Sequence, residues 1–133
     1  MARGEAEKLP GISNAQLELM NIVWERGEAS VTDVWQGLPE GRRLARTTVM
    51  TVLARLAEKG WLKRSKRKNE IFYAPAVAKE AALKGLVGRL LDAAFAGSLA
   101  KLVMTLVDVR GISSEEAAHL RQIIDGSAKG GKP

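Results

Sequence analysis

Residues 46–59 carry side chains that could recognise a phosphate backbone and the base edges beside it. On a helix, one side of this segment would present Thr47, Thr48, Thr51, Arg55 and Glu58. All of these except Glu58 can donate to phosphates and base edges. Short hydroxyl side chains let a helix sit deep in a groove, and an arginine can bond a guanine or a phosphate. Three exposed threonines are unusual in a helix, because β-branching lowers helix propensity. The pattern predicts a helix that enters the major groove of DNA, against the alternative of an ordinary amphipathic helix.

The opposite side of the same segment is apolar. Val49, Val52, Leu53 and Leu56 recur at three- and four-residue steps, which is the period of a helix packed on a core. Gly60 suits the left-handed position that follows the last turn of such a helix. The segment is therefore predicted to fold as one helix with a core side and a solvent side.

Basic residues surround this helix. Between residues 42 and 70 there are ten Lys or Arg against two Glu, a charge of +8 that leaves −2 for the remainder of the chain. Such a block is typical of a polyanion-binding face, although a solvated basic surface has the same composition. We predict sequence-independent phosphate contacts from the flanking residues and the following segment. They are Arg42, Arg43, Arg46, Lys63, Arg64, Lys66, Arg67 and Lys68.

Two more helices are predicted before this one. Ser13, followed three residues later by Gln16, has the spacing of a capping box and opens the first helix. Gly27 ends it, and Ser30 caps a second, shorter helix that breaks at Pro39.

After Gly60 the apolar residues alternate instead, which predicts two short antiparallel strands with Lys68-Asn69 at their tip. Three helices followed by a hairpin are the order of a winged helix-turn-helix. The predicted class is mainly α, with a two- or three-stranded β wing. We assign residues 12–76 to this DNA-binding domain and residues 1–11 to a flexible arm.

The second half has a different character. Apolar residues recur at helical spacing in three segments, and Ser113 with Glu116 has the spacing of a capping box at the start of the last one. About fifty residues in three helices present more apolar surface than they can cover, so a dimer is expected, with packing onto the first half as the alternative. We assign residues 77–126 to a helical dimerisation domain and residues 127–133 to a flexible tail. The residues predicted to dimerise are Leu83, Leu86, Leu90, Phe95, Leu99, Leu102, Val103, Leu106, Leu120 and Ile123.

Catalysis has little support in the sequence. The chain has no cysteine, and its one histidine, His119, has no Cys, His or Asp at metal-ligand spacing. No glycine-rich loop could cradle a phosphate. We therefore predict a protein that is not an enzyme and has no cofactor and no metal. A polar N-terminus and the absence of any apolar run of about 18 residues favour a soluble, cytoplasmic protein.

Several motifs resemble those of the penicillinase-repressor family, which includes the BlaI, MecI and CopY types. The strongest are ELMNIVW at Glu18–Trp24, TTVMTVLARL at Thr47–Leu56 and KNEIFY at Lys68–Tyr73. The resemblance extends from Ile12 to Pro75 and continues through SLAKLVMTLV and EEAAHLRQII. It implies a homodimer that binds palindromic operators in double-stranded DNA and blocks transcription.

The resemblance also implies how such a protein is switched off. By position, the four groove-facing residues match those of the family, whereas Met50 replaces a basic residue found in some members. Family members are typically released after a membrane-bound sensor metalloprotease leads to their cleavage. The aligned bond here is Thr105–Leu106, where staphylococcal members have Asn-Phe. The copper-responsive branch senses through cysteines, so its mode of sensing is excluded here.

The sequence thus predicts a dimeric, sequence-specific transcriptional repressor that is released by proteolysis or by another signal that weakens the dimer. Its two recognition helices would enter major grooves one or two helical turns apart, since only then do both face the same side of the duplex. The alternative is a winged-helix protein-interaction module whose basic wing contacts an acidic protein.

Overall fold

A computed structural model describes residues 9–129, which divide into two compact units at Leu90–Leu91. Both are mainly helical, and the first also contains a small sheet. In chain order the elements are α1 (Asn14–Arg26), β1 (Ala29–Ser30), α2 (Val31–Gly37), a 3₁₀ turn (Glu40–Arg42), α3 (Arg46–Glu58), β2 (Leu62–Arg67), β3 (Glu70–Pro75), α4 (Lys79–Phe95), α5 (Leu99–Arg110) and α6 (Ser114–Lys129).

The first helix begins and ends where the sequence predicts. The Gln16 N–H donates to Ser13 Oγ at 3.1 Å, and the Ser13 N–H donates to Gln16 Oε1 at 2.9 Å. This reciprocal pair satisfies two backbone donors that a helix start leaves free. At the other end Gly27 has a φ of +81° and donates its N–H to the Val23 carbonyl at 2.8 Å. An L-residue with a side chain is strained at that φ, which is why glycine ends the helix here.

A capping box also opens α2. The Asp33 N–H donates to Ser30 Oγ at 3.1 Å, and the Ser30 N–H donates to Asp33 Oδ2 at 3.0 Å. Ser30 also ends β1, so this one residue joins the sheet to the helix that follows it.

The sheet has three antiparallel strands in the order β1-β3-β2. Lys68 and Asn69 form the two-residue connection between β2 and β3, with φ values of +50° and +66°. Positive φ at both central residues is the conformation of a type I′ turn, whose twist matches that of the strands. The predicted hairpin and its tip are therefore confirmed, and β1 adds the third strand.

The core of the first unit lies between α1, α2, α3 and the inner face of the sheet. Trp61, Leu53 and Leu56 are among its largest fully buried side chains. Leu19 of α1 is also buried. Burying such aliphatic side chains contributes about 1.5–3 kcal/mol each. The buried members of this core are Leu19, Met20, Val23, Ala29, Val34, Leu38, Val49, Leu53, Leu56, Trp61, Leu62, Tyr73, Val77 and Ala82.

Three tryptophans attach connecting segments to this core. The indole N–H of Trp24 donates to the Val77 carbonyl, and that of Trp61 donates to the Pro10 carbonyl, each at 2.9 Å. Trp35 donates in the same way to Leu44, also at 2.9 Å. The rings of Trp24 and Trp61 meet edge to face, with centroids 6.5 Å apart. Each buried indole thus satisfies its one donor and fixes a loop at the same time.

The second unit buries much less. Among its described residues Leu102 is the one buried apolar side chain, and large apolar side chains remain exposed on both α5 and α6. Gly97 separates α4 from α5 with a φ of +80°, and the adjacent Ala96 also has a positive φ. Within residues 9–129 no single helix is long and apolar enough to cross a membrane; only α4 and α5 taken as a bent pair would pass that test.

The predicted boundaries need three corrections. Residues 1–8 of the predicted arm lie outside the described residues; Leu9 packs on the core and Pro10 accepts a hydrogen bond, so these two residues are held by the first unit. The first compact unit extends beyond residue 76, because Val77 and Ala82 are buried in its core. The last helix continues through Gly126 to Lys129, so the predicted tail is helical over its first three residues.

Candidate nucleic-acid interface

The two sides of α3 are separated as predicted. Val49, Leu53 and Leu56 have no exposed surface, and Val52 is half-buried. The other side is open to solvent and carries Thr47, Thr48, Thr51 and Arg55. The Thr51 hydroxyl donates to the Thr47 carbonyl at 3.1 Å, so its oxygen can still accept a hydrogen bond. Packing thus holds one side of the helix and presents the other.

The start of α3 is held by α2 and by the loop between them. The Trp35 hydrogen bond to Leu44 fixes this loop two residues before the helix begins. The guanidinium of Arg46, the first residue of α3, donates from Nε and Nη2 to Thr32 Oγ1 at 3.2 and 2.8 Å. No side chain caps this helix start, since Ala45 occupies the N-cap. Its free backbone N–H groups, together with Arg46, make this end of α3 attractive to an anion.

The wing, residues 62–75, lies beside this helix start. Its tip residue Asn69 and the α3 residue Arg46 line one open depression of about 200 Å³, with Thr32 between them. The fold therefore brings the wing tip, the start of α2 and the start of α3 to one place, although they are far apart in the sequence.

Strand register divides the basic residues of the wing between its two faces. Lys63 pairs with Ala74 and Arg64 with Tyr73, and successive side chains of a strand point to opposite faces. Lys63 and Arg67 are therefore on one face, and Arg64 and Lys66 on the other. The sequence places all of them in one basic group, whereas a single duplex backbone could meet only some of them at once.

Three arginines of the predicted phosphate-binding group, Arg42, Arg43 and Arg67, already have partners within the protein. Arg42 Nη2 lies 2.7 Å from Glu18 Oε2. The guanidinium carbon of Arg43 lies 5.1 Å from the centre of the Trp35 ring. Arg67 Nη2 lies 2.5 Å from Glu28 Oε1. These partners are distant in the sequence, and no motif marks them.

A second set of basic residues has no such contacts. Lys63, Arg64, Lys66 and Lys68 are exposed, and none forms an ion pair with any residue in the part of the chain that the structure describes. Their charge is fully available to a polyanion. The predicted group of eight basic residues is therefore two groups, one tied to the protein surface and one free at the wing.

The predicted dimerisation residues also fall into two groups. Leu86 packs against the core of the first unit and Leu102 is buried, so both already have neighbours within one chain. Leu83 and Phe95 are half-buried. The remaining predicted residues are exposed: Leu90, Leu99, Val103, Leu106, Leu120 and Ile123.

The second unit contains an apolar groove of about 270 Å³ between α5 and α6. Val103 and Leu106 line it from α5, and Leu120 lines it from α6. Arg110 and Glu116 add one charge of each sign. The Thr105–Leu106 bond lies within α5, and both residues are exposed.

Comparison with known proteins places the chain in a family. A family model described as "Penicillinase repressor" matches residues 12–126. The chain belongs to the penicillinase repressor family. The Penicillinase repressor of Bacillus licheniformis is 27% identical to it over 119 residues, which is 90% of this chain and 93% of that protein. The Methicillin resistance regulatory protein MecI of Mammaliicoccus sciuri is 29% identical over 115 residues, covering 86% and 93%.

Solved structures agree on the fold. The solution structure of the DNA binding domain of the repressor BlaI is 30% identical, with a TM-score of 0.50, and covers 56% of this chain and 90% of that one. The crystal structure of the YusO protein from Bacillus subtilis is 18% identical and covers 96% of this chain and 79% of that one, with a TM-score of 0.51. The family and the winged-helix class predicted from the sequence are therefore both confirmed.

Proposed function

We propose that this family member is a transcriptional repressor that binds a palindromic operator in double-stranded DNA as a homodimer. The observation that carries this is the solvent side of α3, where Thr47, Thr48, Thr51 and Arg55 are exposed. On the opposite side Val49, Leu53 and Leu56 are fully buried. A repressor of this kind acts in the cytoplasm, on the chromosome, and has neither catalytic activity nor a cofactor.

The two kinds of contact to DNA come from different elements. The exposed threonines and Arg55 of α3 read base edges, since hydroxyls, methyls and a guanidinium match the groups in the major groove. Free basic residues that share one face of the wing contact phosphates and supply affinity that is independent of sequence. Arg46 lies between the two, at the start of α3, where it can meet a phosphate at the edge of the groove.

A second copy of the chain supplies the other half of the site. The exposed apolar residues of α5 and α6 and the groove between them are what an interface core requires. Two copies related by a two-fold axis present two α3 helices to successive major grooves, one or two helical turns apart. Binding then depends on the dimer, because a monomer has only one half-site contact.

Weakening the dimer releases the operator. A sensor metalloprotease that leads to cleavage of Thr105–Leu106 would cut inside α5, next to a groove residue. Because proteolysis is favoured in locally unfolded or extended segments, this bond becomes a substrate when α5 frays. Any other signal that separates the two copies has the same effect on transcription.

Binding of labelled operator-length DNA from upstream of the gene tests the proposal. Wild type is expected to bind at about 10⁻⁸ M or tighter at physiological salt. Thr51→Ala should alter the base preference at one position per half-site, by about 1–3 kcal/mol. Lys66→Ala should weaken binding to all sequences alike and lower the salt slope by about 0.9 per lost phosphate contact. Lys84→Ala, which removes a lysine from α4, is the matched control and should change neither property.

The outcomes separate the two candidate functions. Salt-sensitive binding to a sequence with two-fold symmetry supports the repressor. A dimer that binds no DNA at low salt, or mutants of the α3 face and wing that bind like wild type, would overturn it and favour a protein-interaction module.

A further inference from the structure

We propose that Arg67 is a positioning residue, which clamps the wing to the base of the sheet through Phe72 and Glu28 and does not itself contact phosphate. The effect of the clamp on DNA binding rests on the proposed function, but the clamp itself is a property of the free protein. It changes the role that the sequence predicts for Arg67.

The guanidinium of Arg67 is held from two directions. Its Cζ lies 4.3 Å from the centre of the Phe72 ring, within the range of a cation–π contact. Its Nη2 lies 2.5 Å from Glu28 Oε1, where it forms an ion pair and donates a hydrogen bond. Phe72 is half-buried under this side chain. Arg67 thus lies across the sheet between these two partners, with 55% of its side-chain surface still exposed.

Register shows that this side chain spans the whole sheet. Arg67 is the last residue of β2 and pairs with Glu70 of β3, the central strand. Phe72 is two residues further along β3 and pairs on its other edge with Ser30 of β1. Glu28 immediately precedes β1. The Arg67 side chain therefore extends from β2 across β3, and its guanidinium reaches the residue that precedes β1.

The clamp acts where the sheet narrows. β1 pairs with only Phe72 and Tyr73, so the part of the wing beyond them is a two-stranded ribbon. Such a ribbon is marginally stable without further support. This outer part carries Lys66 and Lys68, two of the free basic residues, and its position decides where their charges lie relative to α3.

The charge balance separates the clamp from a phosphate contact. Glu28 neutralises Arg67, and moving Arg67 to a phosphate would cost both its ion pair and its contact with Phe72. Glu28 also places a negative charge beside the wing, and this charge repels a polyanion. A role of Glu28 in holding the wing would offset that cost. A clamp explains why both Arg67 and Glu28 are present. If Arg67 contacted phosphate instead, Glu28 would only weaken DNA binding.

The substitution Glu28→Gln, made in the full-length chain, gives opposite results for the two roles. If Arg67 contacts phosphate, losing Glu28 frees the arginine and removes a repulsive charge, so DNA binding tightens. If Arg67 is a clamp, binding weakens roughly 2- to 5-fold on all sequences, because the outer wing loses its position. Glu18→Gln is the matched control: it removes one acidic charge and breaks the similar Arg42 pair away from the wing.

Hydrogen exchange of the free protein tests the clamp without DNA. In Glu28→Gln the amides of the outer wing should exchange roughly 2- to 5-fold faster than in wild type, while those of α3 are unchanged. Glu18→Gln should leave wing exchange unchanged. Unaltered wing exchange in Glu28→Gln overturns the proposal, whether or not the protein binds DNA; failure of wild type to bind DNA overturns only the proposed function.

A double-mutant cycle completes the test. If Arg67 acts through Glu28 and the wing, Arg67→Gln should add little to the loss already caused by Glu28→Gln. A full further loss of DNA affinity from Arg67→Gln in the Glu28→Gln background would show an independent contact and overturn the clamp.

Discussion

The two compact units of this chain bury their apolar side chains to very different degrees. The first places residues from α1, α2, α3 and all three strands in one closed core, including the whole of Trp61. The second, of similar helical character, buries Leu102 and leaves residues such as Leu106 and Val109 more than half exposed. Helical periodicity alone therefore does not tell whether an apolar stripe is filled by its own chain.

The difference matches the kinds of surface that the two units offer. In the first, closure of the core forces the polar side of α3 outward, and the exposed face is chemically specific: hydroxyls, an arginine and a basic wing. In the second, the exposed face is apolar, which is typical of a surface that binds another protein. The first unit exposes charged and hydrogen-bonding groups that suit a polar ligand. The second exposes apolar side chains that suit another apolar surface.

The largest expected effect tests the closed core. Leu53→Ala removes a fully buried side chain from the inner side of α3 and should lower the free energy of unfolding by about 2–5 kcal/mol. Urea denaturation followed by tryptophan fluorescence measures it. Met50→Ala is the matched control, since Met50 lies on the same helix but is 47% exposed, and should cost about 0.5 kcal/mol or less. Equal losses in the two variants would contradict the assignment of the two sides of α3.

The next effect tests the open surface. Leu106→Glu places a charge in the apolar groove and should weaken self-association on the order of 100-fold, because an unpaired charge is costly in an interface. Analytical ultracentrifugation over a range of concentrations measures it. Lys101→Glu introduces the same charge on the opposite side of α5 and should leave the dimer intact. If the wild-type chain stays monomeric at micromolar concentration, the open apolar surface of the second unit is not a self-association surface.

The smallest effect concerns the wing tip, where stability and binding should change in opposite directions. Lys68 has a φ of +50°, a conformation that disfavours residues with a side chain. Lys68→Gly should relieve this and stabilise the first unit by up to about 1 kcal/mol, while losing one basic charge from the wing. Thermal unfolding and DNA titration of the same variant measure the two effects. If Lys68→Gly lowers stability, the tip is not strained.

The order and bounds of the elements were largely predictable, because the signals that set them are local. The Ser13–Gln16 capping box and the Lys68-Asn69 tip act within four residues, and each appears in the structure where its sequence predicts. The last helix is the exception. Gly126 has no positive φ in the structure, and a glycine inside a helix lowers its stability without ending it.

Placement of the candidate site was predictable only in part. The exposed side of α3 follows from its apolar period, since a helix with one buried side must expose the other. The division of the basic residues did not follow from composition. Glu28 is 39 residues from Arg67, and Thr32 is 14 residues from Arg46, so only folding could bring each pair together.

By itself, the sequence determined which segments are helix or strand and which side of each faces a core, because local hydrogen bonding and periodicity depend on near neighbours. The family was indicated separately, by the resemblance of its motifs. The tertiary structure alone decided which arginines are already held, which wing residues share a face and which apolar stripes stay open. Those properties depend on distances between residues far apart in the chain, and such distances exist only once the core has closed.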